Sequence, residues 1–201
     1  MRFLLLPLFL LGLASCGSDA NTDPDATTEA EPIPLTAAYQ PAAAALAKGE
    51  PAARVATLLM DNFTAVSDAQ TGALNEKASQ DFVDLAGQLA ERYPTDTAAA
   101  LPYYRSAEVV RALNDPKRAA DIYGKVHDRY PTFSKAAESL FMLAFTYDED
   151  LQQLDQARAA YENFLQRYPN HPFADDSQML LRNLGKTDEE ILRELEEQAG
   201  Q

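Results

Sequence analysis

Three tripeptides constrain this chain more than any other feature: Arg92-Tyr93-Pro94, Arg129-Tyr130-Pro131 and Arg167-Tyr168-Pro169, spaced 37 and 38 residues apart. A fixed period of that size marks stacked helical hairpins, because one hairpin cannot bury its apolar face alone. The residues between the tripeptides repeat as well. Ala119, Tyr123 and Val126 precede Pro131 by 12, 8 and 5 positions, and Ala157, Tyr161 and Phe164 precede Pro169 by the same intervals. Spacings of four and three lie on one helical face. Each unit therefore ends in a helix with an apolar stripe of alanine, tyrosine and a bulky residue. The small alanine lets a partner helix come close, and the tyrosine fills the next gap. Ala99, Ala136 and Ala174 each follow their Tyr-Pro proline by five, which predicts further helices over 97–113, 134–150 and 173–184. The proline denies the preceding helix another turn and fixes the link.

Composition agrees. The chain has 201 residues, 46% of them hydrophobic (much of that alanine) and only 8 glycines. Such a chain favours helix, and no run of alternating β-branched residues suggests a strand. Residues 52–66 and 77–92 read as a divergent first hairpin joined by a polar link at Ser67–Asn75. At the far end, Thr187-Asp188-Glu189-Glu190 forms a capping box that opens a Glu-rich helix over 188–198. A polar last helix is what the open end of a stack requires. The predicted fold class is all-α: antiparallel helical hairpins stacked as a short right-handed solenoid.

The first sixteen residues have a different purpose. Met1-Arg2 precedes an apolar stretch from Phe3 to Leu13. A positive start and a short apolar run have the layout of a secretory signal, too short to span a bilayer. Leu13-Ala14-Ser15-Cys16 follows and resembles the bacterial lipobox: an aliphatic residue, two small ones, then cysteine. That resemblance implies lipidation of Cys16 and cleavage before it. Gly17, rather than aspartate, favours the outer membrane as the destination. An ordinary signal cut elsewhere is the competing reading. Residues 17–34 carry five acids, no base, and prolines at 24, 32 and 34, too little apolar surface to offset the entropy of ordering. The expected domains are a signal peptide (1–15), the lipidated cysteine with an acidic disordered tether (16–50), a divergent hairpin (51–94), and the repeats with their capping helix (95–201). A short helix within the Ala-rich 35–50 is compatible with this.

The formal net charge is −14. So acidic a chain repels phosphate backbones, so nucleic acid is not an expected partner, and the membrane is approached through the lipid anchor rather than through a flat protein surface.

The stretch LDQARAAYENFLQRYPN (154–170) resembles the second helix of the tetratricopeptide repeat, with Ala157, Tyr161 and Pro169 at signature positions. The longer period and the Tyr-Pro endings resemble the subfamily found in the outer-membrane assembly lipoprotein BamD and in the tetratricopeptide protein of the Tol–Pal system. The likeness extends over about 78–198. It implies protein binding, with the first helices of the hairpins lining a concave groove. Tyr104, Glu108 and Arg111 share one face of one first helix; Phe141, Phe145 and Asp148 occupy the corresponding face of the next. These six are the candidate partner-binding residues. Two readings of the aromatics stay open: a groove floor, or packing between hairpins.

Nothing in the sequence suggests catalysis. His127 and His171 have no second ligand at metal spacing and read as satisfied surface histidines. The single cysteine leaves no metal or disulfide set, Asp148-Glu149-Asp150 reads as a solvated helix end, and neither a phosphate loop nor a nucleophile elbow is present. No catalytic residue, metal or cofactor is expected. The functional expectation is a non-catalytic scaffold, lipid-anchored at the outer membrane and facing periplasm or cell surface, that binds other envelope proteins or peptides, conceivably in envelope or outer-membrane protein assembly. The alternative is a surface lipoprotein that captures glycans or nutrients. The anchor is directly testable: the wild-type chain should take up labelled fatty acid in a bacterial host, and Cys16→Ala should abolish the labelling. Undiminished labelling of the variant would remove the lipobox from consideration.

Overall fold

The computed structural model describes residues 35–199. The signal peptide, Cys16 and the acidic segment to 34 lie outside the described residues. Within them the chain forms α1 (Gln40–Lys48), α2 (Ala52–Asp61), α3 (Glu76–Arg92), α4 (Ala100–Ala112), α5 (Pro116–Arg129), α6 (Ala136–Phe145), α7 (Leu154–Arg167), α8 (Ala174–Asn183) and α9 (Asp188–Ala199). No named strand occurs among the described residues; a lone bridge between Ser67 and Leu74 closes the α2–α3 link. The fold is an all-helical solenoid of the tetratricopeptide type, each helix packing on the next from α3 through α8.

The repeated punctuation has a repeated structure. In each link the tyrosine carbonyl accepts from the amide three residues on, and that residue's carbonyl accepts from the next amide but two. The chains of bonds are Tyr93–Asp96–Ala99, Tyr130–Phe133–Ala136 and Tyr168–His171–Ala174, with lengths of 2.8–3.2 Å. Two successive tight turns thus place an alanine five residues after every proline, which is why that spacing recurs. All three alanines are buried. The tyrosines also reach back along the stack. The Tyr93 hydroxyl donates to the Glu50 carbonyl at 2.7 Å and that of Tyr130 to the Tyr93 carbonyl at 3.3 Å. The Tyr168 hydroxyl lies 3.4 Å from His127 Nε2. Each repeat is pinned to the one before it at its least regular point.

Helix ends follow local chemistry. Asn75 and Asp115 cap α3 and α5, their side chains accepting from Ala78 and Arg118 amides at 3.1 Å. These bonds satisfy donors that the first helical turn leaves free. Pro116 begins α5 two residues after Asn114, whose φ of 64° turns the chain out of α4. Gly49 ends α1 at φ 72°, a left-handed conformation that favours glycine. The capping box is reciprocal: the Thr187 amide donates to Glu190 Oε2 at 2.9 Å and the Glu190 amide to Thr187 Oγ1 at 3.3 Å.

The apolar stripes form the core. Ala119, Tyr123, Val126, Ala157, Tyr161 and Phe164 are all fully buried. One cluster runs from Tyr39 to Tyr130 and a second centres on Leu140, Phe141, Tyr161 and Phe164; Met142 and Leu143 of α6 pack against both and join them.

Three expectations change. The folded body begins before residue 51: Tyr39, Ala42, Ala45 and Leu46 are buried against it, and the Tyr39 ring packs at a tilt against Phe82 with centroids 5.9 Å apart. An Ala-rich stretch can join a core because small side chains let its backbone lie close to its neighbour. His127 is buried rather than on the surface, held between Asp128 (2.9 Å) and Tyr168, because Tyr168 folds back over it. And α9 does not present a purely polar outer face, since Leu192 and Leu195 are exposed.

Ala157→Arg would overpack the tightest contact of the α6–α7 hairpin and bury a charge, and should lower stability by about 3 kcal/mol or more. Chemical denaturation followed by helical circular dichroism measures this; wild-type stability in the variant would show that the stripe does not set the helix approach.

Candidate functional site

The first helices α4 and α6 hold the six residues singled out by the repeat, and the structure divides them. Tyr104 is 5% exposed. It meets Tyr123 and Phe133 edge-on at 5.8 and 6.3 Å, and burial, helped by Glu108, raises its phenol above the ordinary range. Phe141 is 9% exposed and lies among Phe145, Tyr161, Phe164 and Phe173, the last only 4.6 Å away. Both are packing residues. Phe145 is half-buried, stacked on Phe141 with the Arg111 guanidinium 5.2 Å above its ring.

Glu108 and Arg111 do face an open pocket, lined also by Ala112, Tyr123, Met142 and Asp150. Arg111 grips Asp150 through the Nε–Nη2 edge of its guanidinium, Nη2 donating to Oδ1 at 3.0 Å and Nε to Oδ2. That ion pair, a planar fork on a carboxylate, joins the end of one first helix to the end of the next. Glu108 is tied to Arg105 at 2.7 Å. Under this charged rim lies Tyr123, fully buried, whose hydroxyl has no hydrogen-bond partner among the described residues. Burial pushes its phenol above the ordinary range. A buried hydroxyl left unmade costs on the order of 1–3 kcal/mol, and such groups in native proteins call for an explanation. At the equivalent place in the next repeat the hydroxyl is satisfied: Tyr161 donates to Asp148 at 3.3 Å.

The acidic run 148–150 is therefore no simple solvated end. It forms a π-helical turn over Thr146–Asp150 that extends α6, with Asp148 turned into the core and Asp150 out to Arg111. Asp150 and Tyr123 were the residues of this site that sequence reasoning passed over. The available signal was the Arg111–Asp150 separation, close to one repeat period, which puts opposite charges at successive helix ends. A further repeat, Ser139 and Ser177, also went unread: both are buried and donate to the carbonyl four residues earlier, Lys135 and Phe173, at 2.8 and 2.7 Å.

Among the described residues no group of three or more histidine, cysteine or acidic side chains is arranged to hold a metal, and no helix is long and apolar enough to cross a membrane. His171 packs edge-on against Phe164 at 5.5 Å and accepts from the Phe173 amide at 3.2 Å.

Stacked hairpins with an open face on their first helices define a helical-repeat protein. Residues 138–171, which span α6 and α7 to just past the third Tyr-Pro, match the tetratricopeptide repeat family. The chain thus contains a tetratricopeptide repeat, a unit that generally mediates contacts between proteins. No match is found among the curated proteins or the solved structures.

Asp148 yields a pH prediction. Burial raises its carboxyl above the ordinary range and Glu149 adds to this, while the bond from Tyr161 opposes it. A carboxyl with a raised folded pKa favours the native state most below its unfolded value, roughly 3.9, and that advantage is lost as pH rises through the folded value. Asp148→Asn should remove this loss, so that its stability gains on wild type as pH climbs from about 4 toward neutrality. Urea titrations at several pH values report it; parallel pH profiles for the two proteins would assign the slope elsewhere.

Proposed function

We propose that this protein is a lipid-anchored, non-catalytic scaffold of the bacterial outer membrane whose α4–α6 face holds a partner protein or peptide during envelope or outer-membrane protein assembly. Three features support the reading. The Leu13-Ala14-Ser15-Cys16 sequence has the form of a lipidation signal. The acidic stretch after it would stand the repeats off the membrane. The long period with Tyr-Pro endings resembles the envelope-assembly subfamily of tetratricopeptide proteins.

The observation that carries the binding face is the partnerless hydroxyl of Tyr123. Core packing alone would be served better by phenylalanine at this position. The rim closes over Tyr123, so a partner reaches the hydroxyl by displacing the side chains above it; an acceptor delivered there, between the Arg111–Asp150 pair and Glu108, would satisfy the hydroxyl. Aromatic and arginine side chains at the centre of a contact are those that dominate interface energies.

Tyr123→Phe separates binding from folding. Removing an unsatisfied buried hydroxyl should leave stability unchanged or raise it by about 1 kcal/mol. Recovery of the partner from detergent-solubilised envelopes should fall several-fold. A variant that melts lower than wild type, or that captures its partner undiminished, would move the binding surface away from this pocket.

A further inference from the structure

The last hairpin departs from the pattern of the others. At the fourth position of the second helix, α5 and α7 place Ala119 and Ala157, whereas α9 places Ile191; at the eighth, Tyr123 and Tyr161 give way to Leu195. Small residues let the earlier helix pairs approach closely. Isoleucine stands in the same register in α9, and α9 touches α8 only marginally. None of its described side chains is buried, and it belongs to neither apolar cluster. The two helices are bound mainly through their link, where Lys186 pairs with Glu194 at 2.6 Å.

Standing off leaves a cleft of about 320 Å³ between α8 and α9, lined by Met179, Arg182, Ile191, Glu194 and Leu195 among others. Met179, Leu192 and Leu195 are 48%, 59% and 55% exposed, the three most exposed large apolar side chains among the described residues. Isolated exposed leucines are ordinary, but a contiguous apolar set at an open cleft marks a contact surface.

The stack itself indicates the occupant's shape. α4 covers α3, α6 covers α5 and α8 covers α7, so the surface after α9 is the place where a helix would come next. Charge indicates its chemistry. Residues 174–199 contain eight acids and three bases, and the exposed Glu189 and Glu196 flank Leu192 at helical spacings of three and four. A second copy of the same end would bring like charges together at short range, which disfavours self-association there. A helix with basic residues flanking an apolar stripe meets both requirements.

We propose that the α8–α9 end of the array is a docking site for a cationic amphipathic helix of another protein, its aliphatic side chains entering the Met179–Leu195 cleft and its lysines or arginines meeting the glutamates of α9. This site is separate from the Tyr123 pocket.

The test uses the full chain in detergent with two fluorescent helical peptides that share one leucine face, the opposite face being lysine in one and glutamate in the other. Fluorescence anisotropy should show the lysine peptide binding at least tenfold tighter than its glutamate twin, with affinity falling as salt is raised. Leu192→Asp with Leu195→Asp should cost at least tenfold. Both side chains are exposed, so the variant should melt like wild type. Tyr123→Phe should leave this binding unchanged, which keeps failure here distinct from failure of the α4–α6 face. Equal binding of both peptides, or undiminished binding to the double leucine variant, would overturn the proposal. So would a concentration-dependent dimer in sedimentation equilibrium that the leucine variant abolishes, since a second copy would then cover the cleft.

Discussion

Close approach of paired helices over an alanine is the contact on which the rest of this protein depends. Ala119 and Ala157 are fully buried, and the tyrosine one turn further on fills the space that opens as the helices diverge. A void there would forfeit dispersion contacts and a larger residue would force the pair apart. Once that distance is set, the hairpins are uniform enough to stack, and the bulky third residue, Val126 or Phe164, is buried with them, Phe164 meeting Phe141 of its own hairpin at 5.9 Å. Where the alanine is replaced, as at Ile191, the paired helices α8 and α9 touch only marginally.

The Tyr-Pro link is the second element of the design. Proline ends the helix, two tight turns redirect the chain, and the tyrosine hydroxyl fixes the new unit to a carbonyl or ring of the old one. Hydrogen bonds of this kind each contribute about 1 kcal/mol, less than the apolar contacts do, but they act where helices lose their own bonding and so set the register between hairpins. The exposed ion pairs from α5 back to α3, Arg118–Asp84 and Arg129–Glu91, are of the class that adds little to stability; they follow from the stacking and do not cause it.

The proposed binding face lies where the pattern is broken. Tyr123 and Tyr161 are equivalent by repeat, yet one hydroxyl is paired with Asp148 and the other is left over beneath Arg111 and Asp150. The difference arises on the first helices, where Arg111 in one repeat stands where Asp148 stands in the next. An aspartate is short and turns inward to accept; an arginine is long and reaches across to its neighbour. The repeat supplies the geometry and its departures supply the chemistry.

The sequence by itself determined the helical repeat, its period and its buried stripes, because each of these is a local or strictly periodic property: proline stops a helix wherever it sits, and residues four apart share a face in any helix. It also determined the capping box, which is closed within four residues. Only the tertiary structure decided which of the six groove candidates face outward. Tyr104 and Phe141 share their helix faces with Glu108 and Phe145, and a face is buried or open according to what the neighbouring hairpin brings against it. Phe173 and Phe133, delivered by the links, cover those two rings, and no spacing rule announces it. The burial of residues 39–46 and of His127, the Arg111–Asp150 pair and the unmet Tyr123 hydroxyl have the same origin. Each depends on residues some 40 positions apart in the chain meeting at one place, and that meeting is fixed by how closely the helices pack rather than by any residue's own preference.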